Sequence, residues 1–331
     1  ATAFTKHIVK GPGATNFLNW FTCNKLPKVG RINLTYALTD HGTTRTEYTI
    51  VRQGENSYYL VSAGAWSSYD GDYLRKAAED KMEEFGYVEI HEVTSQWGVF
   101  AIAGPKSRDL LKSVLNDSDI ESALSNKRFP WLSAKTIEIG MCPVNAIRVA
   151  YTGELGWELH HPIEMQNYLW DRLLLAGSNY GLKLVGARAQ NWLRQEKSYR
   201  AFGTELGRDA TPLEADLSRF IDLEKEFFGK YKMEATGVRA KCITVLINGP
   251  SDADPWGREA LYLEDGTKVG RLTSGGYSVV FSKSIGMGYI RPDLAQEGQK
   301  LKVKMFNSFW DAEVTCDSPY DPKNETIRKD G

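Results

Sequence analysis

The chain changes texture near Gly229, and that change limits the fold more than any single motif. Up to about Gly207, strand-like and helix-like segments alternate. Phe4–Gly11, Arg31–Leu38, Arg45–Val51, Ser57–Ser62, Val88–Ser95, Gly98–Ala103, Thr136–Ile139 and Asn145–Tyr151 have β character. Ala14–Cys23, Asp70–Phe85, Lys106–Leu115, Pro162–Ala176 and Gly186–Arg200 have helical spacing of apolar residues. After Gly229 the strands are short and parted by Gly, Asp and Pro. They are Lys241–Leu246, Leu261–Glu264, Lys268–Leu272, Tyr277–Phe281, Ile285–Ile290, Lys300–Met305 and Ala312–Thr315. The pattern predicts an α+β region over 1–236 and an all-β barrel or sandwich over 237–331. The polar tail Pro319–Gly331 is expected to wrap or fray.

Local signals refine this outline. Leu74, Ala77, Ala78 and Met82 form the inward face of the predicted 70–85 helix. Gly177 stands where a helix stop is expected. Asn116–Asn126 reads as a polar excursion, and Ser274-Gly-Gly-Tyr277 as a β-turn, since no GK[ST] follows it.

A formal net charge of -1 argues against a general nucleic-acid binder, and there is no basic stripe with interleaved aromatics. No apolar run approaches the ~18 residues of a membrane span, and no signal peptide is visible. The four cysteines are far apart and make no zinc spacing, so reduced, mostly buried thiols are expected. Together these suggest a reducing compartment: the cytoplasm, or the mitochondrial matrix if the source is eukaryotic. The missing initial Met and the immediate first strand suggest a fragment or a processed chain. None of the five histidines has HExxH-like spacing, so no metal site is expected. His160 and His161 are adjacent and face opposite sides of a strand, which makes them poor joint ligands. No GxSxG or Cys/His setting suggests a nucleophile.

Two places remain for chemistry. Ile147–Tyr151 and Trp157–His161 flank Thr-Gly-Glu-Leu-Gly, and a hairpin there could aim Tyr151 and Glu158 into one cavity. A carboxylate suits a ligand edge with two adjacent N–H donors, and an aromatic ring can pack on a flat heterocycle. A plain hairpin with an exposed Glu and a core Tyr fits the residues too, and more commonly. Glu47 follows the His41-Gly42 turn and faces away from Tyr48 and Ile50. It can serve as a base or stabilise a cation, although a solvated strand carboxylate is the commoner outcome.

Taken in order, several segments resemble the aminomethyltransferase (glycine-cleavage T-protein) family over nearly the whole chain. They are Phe4–Gly11; Leu38–Val51 with Gly42; Gly104-Pro105; Tyr151-Thr-Gly-Glu154 with Gly156 and Glu158; Leu193-Arg194-Gln-Glu196; Thr211-Pro212; Phe228-Gly229; and Gly270 with Thr273-Ser274-Gly275. Leu193–Lys197 with Tyr199, Thr211–Ala215 with Arg219-Phe220, and Ser318–Pro322 look closer to the folate domain of dimethylglycine and sarcosine dehydrogenases.

The resemblance implies a cloverleaf of two interwoven α+β domains and a C-terminal β-barrel around bound tetrahydrofolate. It implies that Glu158 binds the pterin edge and Tyr151 lines its ring. Phe4, Leu34, Tyr59 and Val61 match positions that wall the folate pocket. Glu47 falls where T-protein has its catalytic Asp. Gln190 falls where T-protein has a ligand-binding Arg, which weakens any claim to T-protein's lipoyl-linked substrate.

The implied activity is capture of a one-carbon unit from an N-methyl amine as 5,10-methylenetetrahydrofolate. The methylated amine or its iminium is the implied small-molecule partner. No flavin is expected on this chain; FAD is placed on a flavoprotein partner or on an N-terminal domain outside it. Direct methyl transfer from a sulfonium or methyl ether, a non-catalytic folate-binding module, and a scaffold for a flavoprotein are the alternatives.

Overall fold

The computed structural model describes residues 4–250 and 252–330; Ala1–Ala3 and Gly331, the ends of the predicted regions, lie outside them. β1 (Phe4–Lys10), β2 (Ile32–Leu38), β3 (Thr44–Gly54), β4 (Ser57–Ala63) and β5 (Glu89–Glu92) form an antiparallel sheet in the order β2-β3-β4-β1-β5. Its strands are rich in β-branched and aromatic residues, and alternation splits them between two buried faces. One face carries Val9, Ala37, Tyr48, Ile50, Tyr58 and Leu60. It packs on α1 (Ala14–Phe21) and α2 (Ser67–Asp80) through Phe17, Leu18, Phe21 and Leu74.

The helix predicted over 70–85 is two helices, because the chain leaves helical geometry at Lys81 and restarts as α3 (Met82–Phe85). The Lys81 ammonium lies 4.9 Å over the Trp20 ring. The break turns Met82 outward, 53% exposed, contrary to the expected inward face.

β6 (Trp97–Ala103), β7 (Ala134–Ile139), β8 (Cys142–Ile147) and β9 (Gly156–Pro162) form the second sheet, in the order β6-β9-β8-β7. Trp157, Leu159, Val144 and Ile139 pack under α4 (Ser107–Val114) and α6 (Gln166–Gly177) through Leu110, Leu111, Leu169 and Leu173. The polar excursion contains α5 (Ile120–Ala123), whose N-cap is Asp119. Gly177 is the last residue of α6, not a left-handed stop past its end: its φ is -60°, a 3-10 turn follows over Ser178–Tyr180, and Gly181, with φ 73°, is the left-handed residue that ends it. Glycine is required at 177 because a Cβ there would lie 2.4 Å from Leu182.

The chain then turns back on itself. α7 (Ala187–Glu196) leads to a return segment that ends in α8 (Lys230–Thr236). Leu206, Ala215, Leu217, Phe227 and Met233 from this return pack on Cys23, Tyr36 and Leu38 of the first sheet region. The α+β region is therefore interwoven. Gly42 shows why its turn is tight: φ is 78°, and a Cβ would meet Met233 N at 2.2 Å.

β10 (Lys241–Ile247), β11 (Ala260–Tyr262), β12 (Lys268–Ser278), β13 (Lys283–Ile290), β14 (Lys300–Met305) and β15 (Ser308–Thr315) close into a barrel, β10-β13-β12-β11-β14-β15. Val245, Ile247, Leu261, Leu301 and Val303 fill it. Ser274–Tyr277 is not a turn but part of β12, which runs through to Ser278; Tyr277–Phe281 is therefore not a separate strand. The glycines that mimic turn composition make room instead. A Cβ on Gly276 would lie 2.1 Å from Trp192 of α7, and one on Gly275 would lie 2.4 Å from Pro255 O. The tail wraps: Lys197 Nζ donates to Tyr320 O (3.0 Å), Asp321 O (2.6 Å) and Asn324 Oδ1 (3.0 Å). It ends in α9 (Glu325–Arg328), where Ile327 is buried.

The seam between α7 and the barrel makes a stability prediction. Gly276→Ala lowers unfolding free energy by about 1–3 kcal/mol through overpacking against Trp192. Gly207→Ala, where no atom lies within 4 Å of the added Cβ, changes it by less than about 0.5 kcal/mol. Urea denaturation of both variants measures the contrast, and equal effects contradict it.

Candidate functional site

Strand register decides which side chains share a surface. In the first sheet Leu34, Thr49, Val61 and Lys6 are successive cross-strand partners, and so are Ile32, Val51, Tyr59 and Ile8. Tyr36 is opposite Glu47, and Phe4 is opposite Ala63. Side chains alternate, so Phe4, Leu34, Glu47, Tyr59 and Val61 lie on one face. It is the face turned away from α1 and α2. Ile32, Val51, Tyr59 and Val61 pack there with Ile147 of the second sheet, joined by Phe4 and Trp97. Leu34 sits at the side where the return segment arrives, packed against the cluster of Tyr36, Leu206 and Leu217.

Glu158 comes from the second sheet. It pairs with Ile147 on one side and Ala101 on the other, and so shares the inward face with Ile147. The next residue on that face, His160, is fully buried. Its Nδ1 is 2.9 Å from the Tyr59 hydroxyl, and its Nε2 is 3.2 Å from Glu158 Oε2. The Glu158 side chain keeps 15% of its surface. Burial pushes the Tyr59 hydroxyl well above its ordinary pKa, and the Glu158 charge adds to this.

Glu47 is electrostatically unusual. Burial pushes its carboxyl up to about 8, and Arg194 offsets only part of that. The residue is half-buried, and the surrounding protein desolvates its carboxyl. Among the described residues it forms no salt bridge. The reason is that Arg194 is already spent on other partners. Its Nη1 donates to Glu205 Oε2 (2.9 Å) and Tyr199 O (2.7 Å), its Nη2 to Ser274 Oγ (2.7 Å), and its Nε to Asn191 Oδ1 (2.9 Å). Glu205 is buried, which would raise its pKa, but Arg194 and the Ser274, Thr273 and Thr204 hydroxyls hold it below the usual carboxylate range.

Tyr151 corrects an expectation. β8 ends at Ile147 and β9 begins at Gly156, so Tyr151 lies in a connection and not on a hairpin arm. Its hydroxyl donates to Arg200 O (2.9 Å), and its ring stacks on Tyr199 with centroids 5.8 Å apart. Burial raises its pKa, and the charged groups that act on it are Arg194, Glu47 and Glu205. Tyr151 thus neighbours Glu47, while Glu158 is tied to His160 and Tyr59. Gln190 is half-buried on α7.

Four residues of this neighbourhood were not singled out from the sequence: Arg194 and Glu205 as a buried pair, His160, and Lys6. Lys6 is buried, its Nζ donates to Trp97 O (2.6 Å), and burial lowers its pKa to about 8. Its signal was present, since Lys6 has the same period-2 placement as Phe4 and Ile8. His160 carries no local signal for its role, because its partner Tyr59 is about 100 residues away in the chain. A shallow cavity of about 370 Å³ lies elsewhere, on the barrel between Arg239, Lys268, Arg271 and Arg291. Two of those cations are already paired, Arg239 with Glu214 and Arg291 with Asp293.

Comparison with known proteins covers nearly the whole chain. Residues 1–225 match the GCVT N-terminal domain, and 241–321 match the glycine cleavage T-protein C-terminal barrel domain. The mitochondrial dimethylglycine dehydrogenase of Mus musculus is 34% identical over 338 residues, 99% of this chain but 37% of that protein. The chain thus spans little more than a third of that relative's length. An aminomethyltransferase of Caldanaerobacter subterraneus is 33% identical over 309 residues, 91% of this chain and 78% of the relative. The crystal structure of aminomethyltransferase T of the glycine cleavage system from Bartonella henselae superposes with a TM-score of 0.83. It covers 97% of this chain and 85% of that one at 21% identity, a likeness of fold.

Glu47 predicts a pH dependence of stability. The folded state holds this proton up to about pH 8, whereas an ordinary carboxyl loses it near 4.5. Between those values the native state binds more protons than the unfolded chain, so this group's contribution falls as pH rises. Glu47→Gln removes that loss. Its stability advantage over wild type widens from pH 5 to pH 8, by on the order of 2–4 kcal/mol at most. A gap that stays constant in denaturation across that range contradicts the burial of Glu47.

Proposed function

The chain belongs to the aminomethyltransferase (GCVT) family, and from that premise we propose that it is a tetrahydrofolate-dependent one-carbon transferase acting with N-methyl amines of the dimethylglycine and sarcosine type. What supports this reading is that strand alternation sets Glu47, Phe4, Leu34, Tyr59 and Val61 on one face of the first sheet, the face that packs on Ile147 of the second sheet, and that Glu158 stands opposite Ile147. Residues 1–236 form the folate-binding part in this reading, and 237–331 the barrel that braces it.

The residues suit a reduced pterin. Glu158 keeps accessible surface and unused acceptor capacity, which two adjacent N–H donors of a pterin edge would fill. The half-buried Phe4 and Leu34 would offer apolar surface to a flat ring, with Val61 packed behind on the same face and Tyr151 near Glu47. Tetrahydrofolate bound here would supply the amine that captures the one-carbon unit, leaving as 5,10-methylenetetrahydrofolate.

The protein's own part is to orient, exclude water and manage one proton. With a pKa of about 8, the Glu47 carboxyl holds its proton at neutral pH in the free site. A cationic group arriving beside it, such as an iminium, favours the ionised form. Glu47 then stabilises that cation and can accept a proton from the attacking amine. Arg194 does not compete for this role, because Glu205 and Ser274 hold it.

The relatives named dimethylglycine dehydrogenase are much longer than this chain. Oxidation of the N-methyl group fits a flavin site outside residues 1–331, on a partner or a further domain. Departure of Gln190 from the arginine implied at that position favours the free amine over a carrier-bound substrate.

Calorimetric titration with tetrahydrofolate, with turnover measured at saturating folate, separates the two carboxylates. Glu158→Ala weakens binding about 30-fold or more, the loss expected for charge-assisted hydrogen bonds of ~2–3 kcal/mol. Glu47→Gln leaves the dissociation constant within about threefold and lowers turnover at least a hundredfold. Equal loss of affinity in both variants overturns this division of roles. Absence of binding in folded wild-type protein overturns the function itself.

A further inference from the structure

Glu158 and Tyr59 have places in the function described so far, but the link between them through His160 has none. It joins the two sheets: Tyr59 belongs to β4, and His160 and Glu158 stand two residues apart on one face of β9. Both ring nitrogens of His160 are engaged, Nδ1 with the Tyr59 hydroxyl at 2.9 Å and Nε2 with Glu158 Oε2 at 3.2 Å. The rings of Tyr59 and His160 meet edge-on, at 84°. Packing alone does not require this arrangement, since an apolar side chain would fill the same space without three polar groups to satisfy.

The bonds admit one economical proton arrangement. An ionised Glu158 can only accept, so Nε2 carries the proton and donates to Oε2. Nδ1 is then the acceptor of the Tyr59 O–H. In that arrangement each of the three groups has a hydrogen-bond partner. Oε2 is thereby fixed, and Oε1 forms no hydrogen bond among the described residues.

We propose that His160, held in one tautomer by Tyr59, is the positioning residue that orients the Glu158 carboxylate toward the N–H edge of its ligand. The proposal rests on the reading of Glu158 as the folate-binding carboxylate, and it adds a part to that site. His160 does not touch the ligand; it acts through Glu158. An unrestrained glutamate on a strand samples several rotamers, and binding must then freeze them. His160 and Tyr59 remove that cost before the ligand arrives.

The test is a double-mutant cycle read by tetrahydrofolate titration of the full chain. His160→Leu weakens binding about tenfold in the wild-type background and less than about twofold in Glu158→Gln, because its effect passes through the carboxylate. Turnover at saturating folate stays within about twofold. His160→Gln, which keeps an N–H donor near Glu158, recovers most of the affinity. Tyr59→Phe deletes one oxygen and keeps the ring; it weakens binding about threefold and changes the ¹⁵N signature of His160 from a single Nε2–H tautomer to a mixture. This variant decides the matter if His160→Leu does not fold. The same loss in both backgrounds, no loss at all, or an unchanged tautomer in Tyr59→Phe overturns the proposal. If Glu158→Gln binds as wild type does, the folate reading of Glu158 fails instead, and the two failures are distinguishable.

Discussion

The pairing register of β3 is the constraint on which the rest depends. Thr49 between Leu34 and Val61 places Glu47 on the face that meets the second sheet, and Tyr48 and Ile50 on the face that meets the helices. A slip of one residue would send the carboxylate into an apolar helix interface and turn Tyr48 toward the other sheet. Both faces are buried, so both would resist the slip. The turn at Asp40–Gly42 fixes the same register from its end. Thr39 and Thr43 hydroxyls meet at 2.8 Å, and Gly42 packs against Met233 where no side chain fits.

The second theme is how polar groups are divided between satisfied and poised. Arg194 and Glu205 are a buried pair whose remaining capacity goes to Ser274, Thr273, Tyr199 and Asn191. That network ties α7 to β12 and so anchors the barrel to the α+β region. Arg194 still acts on Glu47 through its charge, but among the described residues Glu47 forms no salt bridge. Had Arg194 been free to reach it, the carboxylate would be ionised at neutral pH and shielded from any incoming positive charge. Glu158 is treated oppositely: one oxygen is held by His160 and the residue keeps a little surface. The two carboxylates therefore sit in different surroundings, Glu47 in one that favours its protonated form and Glu158 beside an imidazole.

Much of this was legible in the sequence. Alternation around Tyr48 and Ile50 placed Glu47 on the opposite face, and the ordered segments from Phe4 to Ser274 pointed to the family and its barrel. What escaped depended on contacts between distant segments. Ser274–Tyr277 has the composition of a turn, but its glycines exist for the close approach of Pro255 and Trp192. Gly177 looked like a helix stop and is instead small because Leu182 packs over it. Tyr151 was assigned to a hairpin arm, yet its partners, Tyr199 and Arg200, arrive about 50 residues later. His160 could not be read as a link to Tyr59 without knowing that the two sheets face each other.

The measurement that bears most directly on the central claim is a crystal structure of the chain with a stable tetrahydrofolate analogue. The account predicts the pterin between the two sheets, its N–H edge on the Glu158 carboxylate and its amine nitrogens nearest Glu47, with the His160 bonds unchanged. An analogue bound at the basic cavity beside Arg239 and Arg271, or Glu158 turned away from the ligand, would contradict it.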